Sequence, residues 1–312
     1  MKLFLKLILL IVFCWIQPSL AKHSAWHFKS SDVNALHSAA ADQQIAYGKD
    51  PLQFAELRLP HKPGPYPVVI IIHGGCWVSK FADLHNTAAL ADALRASGYA
   101  TWNVEYRRED NAGGGWPGTF TDVAQAADFL PTIADKYSLD LNRVIVIGHS
   151  AGGQLALWLA ARHRLPTSGP LYSAKPLAVR GVVTLGGVTD MKAFREYNNS
   201  RRICDSSDVI GNLFGQTEEK ITERYRSVSP IELLPFNVPQ ILIYGKDDKI
   251  VPATFGKTYQ QVAQSKGDKV KIVEVPYAAH HELIVPNSVS WPVLHSAIKS
   301  LIKNQLSPDK NP

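Results

Sequence analysis

The sequence predicts an α/β fold with a mostly parallel central sheet and helices on both faces. Three observations predict it. Short runs rich in Val and Ile alternate along the chain with segments of helical periodicity. The runs at Pro67–His73 and Val144–Ile147 are apolar without alternation, as strands buried on both faces are. The second run enters Gly148-His149-Ser150-Ala151-Gly152 and then Gln154–Arg162, which reads as strand, sharp turn and helix. Alternating elements with short joins specify parallel strands with crossover helices.

Composition bounds the rest. The chain has 312 residues, 46% hydrophobic and 19% charged, so it is long enough for one large globular unit. Residues 1–21 have the form of an export signal: Lys2 and Lys6, an apolar core Leu7–Ile16, and Ser19-Leu20-Ala21 before a cut at Lys22. Ten apolar residues are too few to span a bilayer, and bulky Phe13 before Cys14 argues against lipid attachment. A secreted or periplasmic protein with no stable membrane anchor is expected, its mature part being 22–312. Removing the signal lowers the net charge from +6 to +4, and no basic run remains to suggest nucleic acid. Cys76 and Cys204 are then the remaining cysteines, either one bridge in an oxidising compartment or two small buried hydrophobes.

In order, Lys22–Tyr47 lacks periodicity and is expected to lie over the sheet as a leader. Gln53–Leu59 alternates apolar and polar residues, which suits an antiparallel edge strand. Pro67–His73 is a central strand, Thr87–Ser97 a helix and Tyr99–Tyr106 the next strand. After the loop Asn111–Pro117, a helix is expected over Phe120–Tyr137 and a turn over Ser138–Arg143. Gly181–Leu185, Pro239–Gly245 and Lys269–Val275 are further strands; Thr254–Ser265 and Ser288–Asn304 are helices. Residues 188–237 hold no strong strand and are rich in charge, so they are expected to form an insertion, a candidate lid over the site.

The chemistry centres on Ser150. Its neighbours two residues either way are glycines, which lets strand and helix approach around a strained residue. A turn of this kind can also hold a phosphate or simply reverse the chain; the flanking strand and helix favour a nucleophile. A serine hydroxyl needs a base, an acid to orient that base, and donors for the oxyanion. Asp247 and Asp248 follow one predicted strand, and His280 and His281 follow the next, at the carboxyl edge where the serine emerges. Amides of Ala151 and of Gly74 or Gly75 are the candidate donors. Adjacent histidines can suggest metal, but no acid or cysteine cluster at ligand spacing supports one, and no cofactor is expected.

The motifs His73-Gly74-Gly75-Cys76-Trp77, Asn103–Arg108, Gly115-Trp116-Pro117, Gly148–Gly153, Gly245–Pro252 and His280–Pro286 run in order along nearly the whole mature chain. The chain thereby resembles the α/β-hydrolase superfamily, in its esterase-like branch with a His-Gly-Gly-x-Trp loop. That branch is related to feruloyl-esterase-like, kynurenine formamidase-like and prolyl-oligopeptidase-type enzymes. The resemblance implies an α/β-hydrolase fold and a Ser150–His280–Asp248 triad, with Asp247 a turn residue and His281 at the pocket or in solvent. Trp77, Trp116 and Phe120 are candidate walls of the acyl pocket, and His149 a space-filling residue. The expected activity is hydrolysis of small-molecule carboxylic esters through an acyl-enzyme. Amide or formamide hydrolysis, or peptide cleavage, on the same triad is the alternative, and a non-catalytic binding protein is the alternative of another class.

Overall fold

The computed structural model describes residues 27–205, 208–215 and 217–303, so the expected signal at 1–21 lies outside the described residues. The strands are β1 (Gln43–Ala46), β2 (Phe54–Arg58), β3 (Tyr66–Ile72), β4 (Ala100–Val104), β5 (Leu139–His149), β6 (Gly181–Leu185), β7 (Gln240–Gly245) and β8 (Val270–Val275). They form one sheet in the order β1-β2-β4-β3-β5-β6-β7-β8. β1 and β2 are antiparallel to their neighbours, and every pairing from β4 through β8 is parallel. Around it lie α1 (Ser30–Asn34), α2 (Ala88–Ala96), α3 (Gly118–Asp128), α4 (Leu130–Ile133), α5 (Ala151–Ala161), α6 (Met191–Arg201), α7 (Val209–Phe214), α8 (Glu218–Val228), α9 (Pro230–Leu233), α10 (Thr254–Ser265) and α11 (Trp291–Ile302). This is the α/β-hydrolase fold.

The uninterrupted apolar runs follow from two buried faces. Successive strand residues point to opposite sides. Val68, Ile70, Val144 and Val146 join a core with α3, α5 and α10, whereas Val69, Ile71, Ile145 and Ile147 join a second core with α2 and α11. β3 and β5 lie side by side at the centre, flanked by β4 and β6, so the turn after β5 emerges mid-sheet at its carboxyl edge.

Four expectations are corrected. β1 pairs outside β2, so Phe54–Arg58 is antiparallel but not the sheet edge. Residues 138–143 are largely strand: β5 starts at Leu139 and pairs with Tyr66 and Pro67 before a register shift between Pro67 and Val68. The helix expected over 120–137 is two, α3 and α4, with Pro131 in the first turn of α4, where its missing N–H costs nothing. The leader's described part holds α1 and β1.

The segment 188–237 folds as α6 to α9 between β6 and β7. Part of its charge holds it together: Arg195 donates to Asp208, which caps α7, and to Glu218 in the first turn of α8. The segment grips α5 through Gln154 Nε2 to Val228 O at 2.8 Å and Trp158 Nε1 to Ser227 O at 3.1 Å. Cys204 and Cys76 are disulfide-bonded, Cα atoms 5.9 Å apart, which joins this segment to the loop after β3. Asn198-Asn199-Ser200 has the form of a glycosylation acceptor, but Asn198 is fully buried and its side-chain oxygen accepts from the Cys204 amide at 2.8 Å.

Candidate active site

The turn between β5 and α5 holds Ser150 at φ 54°, ψ −120°, a conformation that L-residues avoid. Two contacts explain the glycines. A Cβ on Gly148 would overlap the Gly152 carbonyl, and one on Gly152 would overlap the carbonyls of Ile72 and His73. Strand and helix therefore meet closely enough to raise Ser150 at the mouth of a 230 Å³ cleft that it shares with His280, His281, Gly75, Cys76 and Ile203.

Asp248 and His280 come from the loops after β7 and β8. Asp248 is buried, and its two oxygens have separate tasks. Oδ1 accepts the amides of Ile250 (2.8 Å) and Val251 (2.9 Å), while Oδ2 lies 2.7 Å from His280 Nδ1. A carboxylate accepts only, so Nδ1 carries the proton and Nε2 keeps its lone pair. Asp247 is exposed, and its amide donates to Ala278 O, as befits a turn residue. Ser150 Oγ and His280 border the same cleft without a hydrogen bond between them, an open arrangement common before substrate binds.

The candidate donors lie in the loop after β3 and at the start of α5. A Cβ on Gly74 would come within 3.0 Å of the Ser150 Cβ, so the loop after β3 packs directly on Ser150. The amides of Gly74, Gly75 and Ala151 find no partner among the described residues. What aims them is a buried polar network. His73 Nδ1 donates to Gly74 O at 2.8 Å, and Tyr106 Oη donates to His73 O at 2.9 Å. In a trans peptide the N–H points opposite to the C=O, so tying the Gly74 carbonyl back turns the Gly75 N–H the other way. His73 stacks on Tyr106, ring centroids 4.3 Å apart, and its Nε2 lies 3.3 Å from Glu105 Oε1. Burial alone would raise the Glu105 carboxyl; His73, Arg108 and the Leu84 amide overcome it and hold it at about 2.

His281 borders the cleft, and burial, then the neighbouring His280, lowers it to about 4, so it is neutral at pH 7. His149 fills space, as expected, but also braces His280: its Nε2 donates to His280 O at 3.2 Å, with ring centroids 4.5 Å apart. Burial, then His280, pushes His149 well below the usual histidine range.

The aromatic pocket walls are corrected. Trp77 is fully buried, donating to Gln154 Oε1 and packing edge-on against Phe194, so it joins the loop to α5 and α6 rather than lining the cleft. Trp116 sits under Arg224 and beside Phe120 and does not border the cleft, and Phe120 is core. An apolar residue near a motif reads the same whether it faces a ligand or a neighbouring helix. Residues not singled out beforehand border the cleft instead: Ser30, Phe81, Asn86, Ile203 and Ile250. Glu105 and Glu282, which brace the loops, stood in quoted motifs without an assigned task. Among the described residues, no group of three or more His, Cys, Asp or Glu has the arrangement of a metal site.

The BD-FAE family model matches residues 56–262, well over half the chain. The chain belongs to the BD-FAE family. The match takes in the donor loop, Ser150 and Asp248, and ends before His280. Among curated relatives of this BD-FAE chain, Esterase LipC of Mycobacterium tuberculosis is 27% identical, covering 85% of this chain and 65% of that protein. Isoprenylcysteine alpha-carbonyl methylesterase ICME of Arabidopsis thaliana is 24% identical over 78% of this chain and 57% of its own length. The chain thus spans between about half and two thirds of these relatives. Inhibited esterase B from Lactobacillus rhamnosis aligns with a TM-score of 0.74 at 19% identity, over 88% of this chain and 93% of that one, and shares the fold.

Proposed function

We propose that this BD-FAE protein is an exported serine hydrolase that cleaves small carboxylic esters through an acyl-enzyme. His280 Nε2 takes the Ser150 proton as Oγ attacks the carbonyl carbon, and Asp248 holds the resulting imidazolium. The oxyanion is received by the amides of Ala151 and Gly75, each worth about 3 kcal/mol in the transition state. His280 then gives its proton to the leaving alcohol, and water, activated by the same base, releases the acid from Ser150. The observation that carries this reading is the Asp248–His280 pair at 2.7 Å, opening on a cleft with a strained Ser150 and unpartnered amides beside it. Esterase relatives support the ester as the scissile bond. The Cys76–Cys204 bridge supports export, because structural disulfides persist in oxidising compartments.

The test is a panel of p-nitrophenyl esters set against N-formylkynurenine and aminoacyl amides, with Ser150→Ala alongside. Turnover of the esters that Ser150→Ala abolishes is expected. Amide turnover exceeding that of esters would overturn the ester assignment, and hydrolysis surviving in Ser150→Ala would overturn the mechanism.

A further inference from the structure

The segment preceding the family match borders the candidate active site: His27 and Phe28 line a cavity beside His280, and Ser30 lines the Ser150 cleft. Its backbone is clasped by Glu282, a buried carboxylate two residues after His280. One Glu282 oxygen accepts the Phe28 amide at 2.6 Å and lies 3.4 Å from His27 Nδ1; the other accepts the Ala279 amide at 3.0 Å. Ala279 directly precedes the base. A buried carboxylate is costly unless its oxygens are satisfied, and here the partners are the N-terminal segment on one side and the histidine turn on the other. The segment continues as α1, pinned by Val33 in the core below and by Asn86 Nδ2 donating to Asn34 Oδ1 at 2.8 Å. Ser30 Oγ lies 3.5 Å from Phe81 O and 3.4 Å from Asn86 Nδ2, and all three residues border the Ser150 cleft.

The direction of the reaction says which part of a substrate meets Ser30. The leaving oxygen must face His280 to be protonated, so the alcohol departs on the His280 side. There a second, open cavity of 570 Å³, bordered by His27, Lys246, Asp247 and Lys249, adjoins the cleft through Ile250, His280 and His281. The 230 Å³ cleft, bordered by Gly75, Cys76, Phe81, Asn86 and Ser30, is then left for the acyl chain.

We propose that residues 27–34 are a strap belonging to the active site: Glu282 couples the strap to the catalytic-histidine turn, and Ser30 limits acyl length at the cleft wall. The proposal rests on the ester reading, deepening it to short acyl groups. Ser30→Phe places an aromatic ring at the wall, and Ser30→Gly opens it. Measured as kcat/KM for p-nitrophenyl butyrate over acetate, the ratio should fall at least about tenfold in the first and rise in the second, the range expected when methylenes lose or gain room. Glu282→Gln leaves the cleft wall in place but sets an NH2 against an amide donor. It should lower kcat on the acetate about tenfold with little change in KM, because a displaced base costs rate rather than binding. An unchanged acyl ratio in both folded Ser30 variants, or a Glu282→Gln variant that loses thermal stability but keeps kcat, overturns the strap. If wild type turns over no ester, labelling of Ser150 by methyl- against butylphosphonate p-nitrophenyl esters reads the same wall without turnover. A normal phosphonate preference, shifted by Ser30→Phe, then retains the strap while the ester assignment falls; no labelling at all overturns both.

Discussion

Asp248→Asn isolates the least visible member of the constellation. Oδ1 of Asp248 accepts two backbone amides, from Ile250 and Val251, so the new side-chain carbonyl is held there and the NH2 group takes the place of Oδ2. That NH2 now faces His280 Nδ1 at the 2.7 Å contact. An amide nitrogen donates only, so Nδ1 must give up its proton and Nε2 must take it. The imidazole then presents N–H rather than a lone pair to Ser150 and cannot act as a base. The loop keeps both backbone bonds, so the fold should survive. The loss is that of the wrong tautomer, roughly 10⁴ in kcat, or about 5.5 kcal/mol of transition-state stabilisation. The assay is kcat on p-nitrophenyl acetate, with thermal unfolding as a control and Asp247→Asn in parallel. Asp247 is exposed and should tolerate the change. Asp248→Asn retaining a tenth of wild-type kcat, or Asp247→Asn losing as much, would refute the assignment.

Two further outcomes are expected. The Cys76–Cys204 bridge closes a separation of 128 residues, so the double serine variant should be less stable by about 5 kcal/mol on the chain-entropy model; urea unfolding would reveal it, and two titratable thiols in the denatured, unreduced protein would contradict it. Acid should destabilise the fold between pH 6.5 and 4. His281 titrates near 4 when folded and 6.5 when unfolded, so the unfolded chain binds more protons in that window. Stability is intact above it and is lost as pH falls, by up to about 3 kcal/mol from His281. His149 adds in the same direction. His281→Gln should flatten the urea midpoint against pH; an unchanged slope would sink the point.

The sharp turn at Ser150 was legible because its strained backbone imposes demands on its neighbours. Gly148 and Gly152 exist where carbonyls leave no room for a side chain, and that leaves a pattern in one local stretch. Asp248 and His280 were legible from their places after β7 and β8, since a parallel sheet brings strand ends together. The strap was not. Its contacts join Phe28 to Glu282 and Ser30 to Phe81, and hydrogen bonds of that span leave no local periodicity. Trp77 and Trp116 misled for the opposite reason: large apolar side chains beside a motif are as easily core as pocket. The start of β5 at Leu139 was hidden by Asp140, Asn142 and Arg143, polar residues at a strand end where the register shifts.

The central claim is that Ser150 is a nucleophile activated by His280, and a fluorophosphonate probe tests it most directly. Intact mass should show one adduct per chain, and peptide mapping should place it on Ser150. His280→Ala should slow labelling by orders of magnitude while leaving the fold intact. An unmodified wild-type protein, or an adduct that persists in Ser150→Ala, would contradict it.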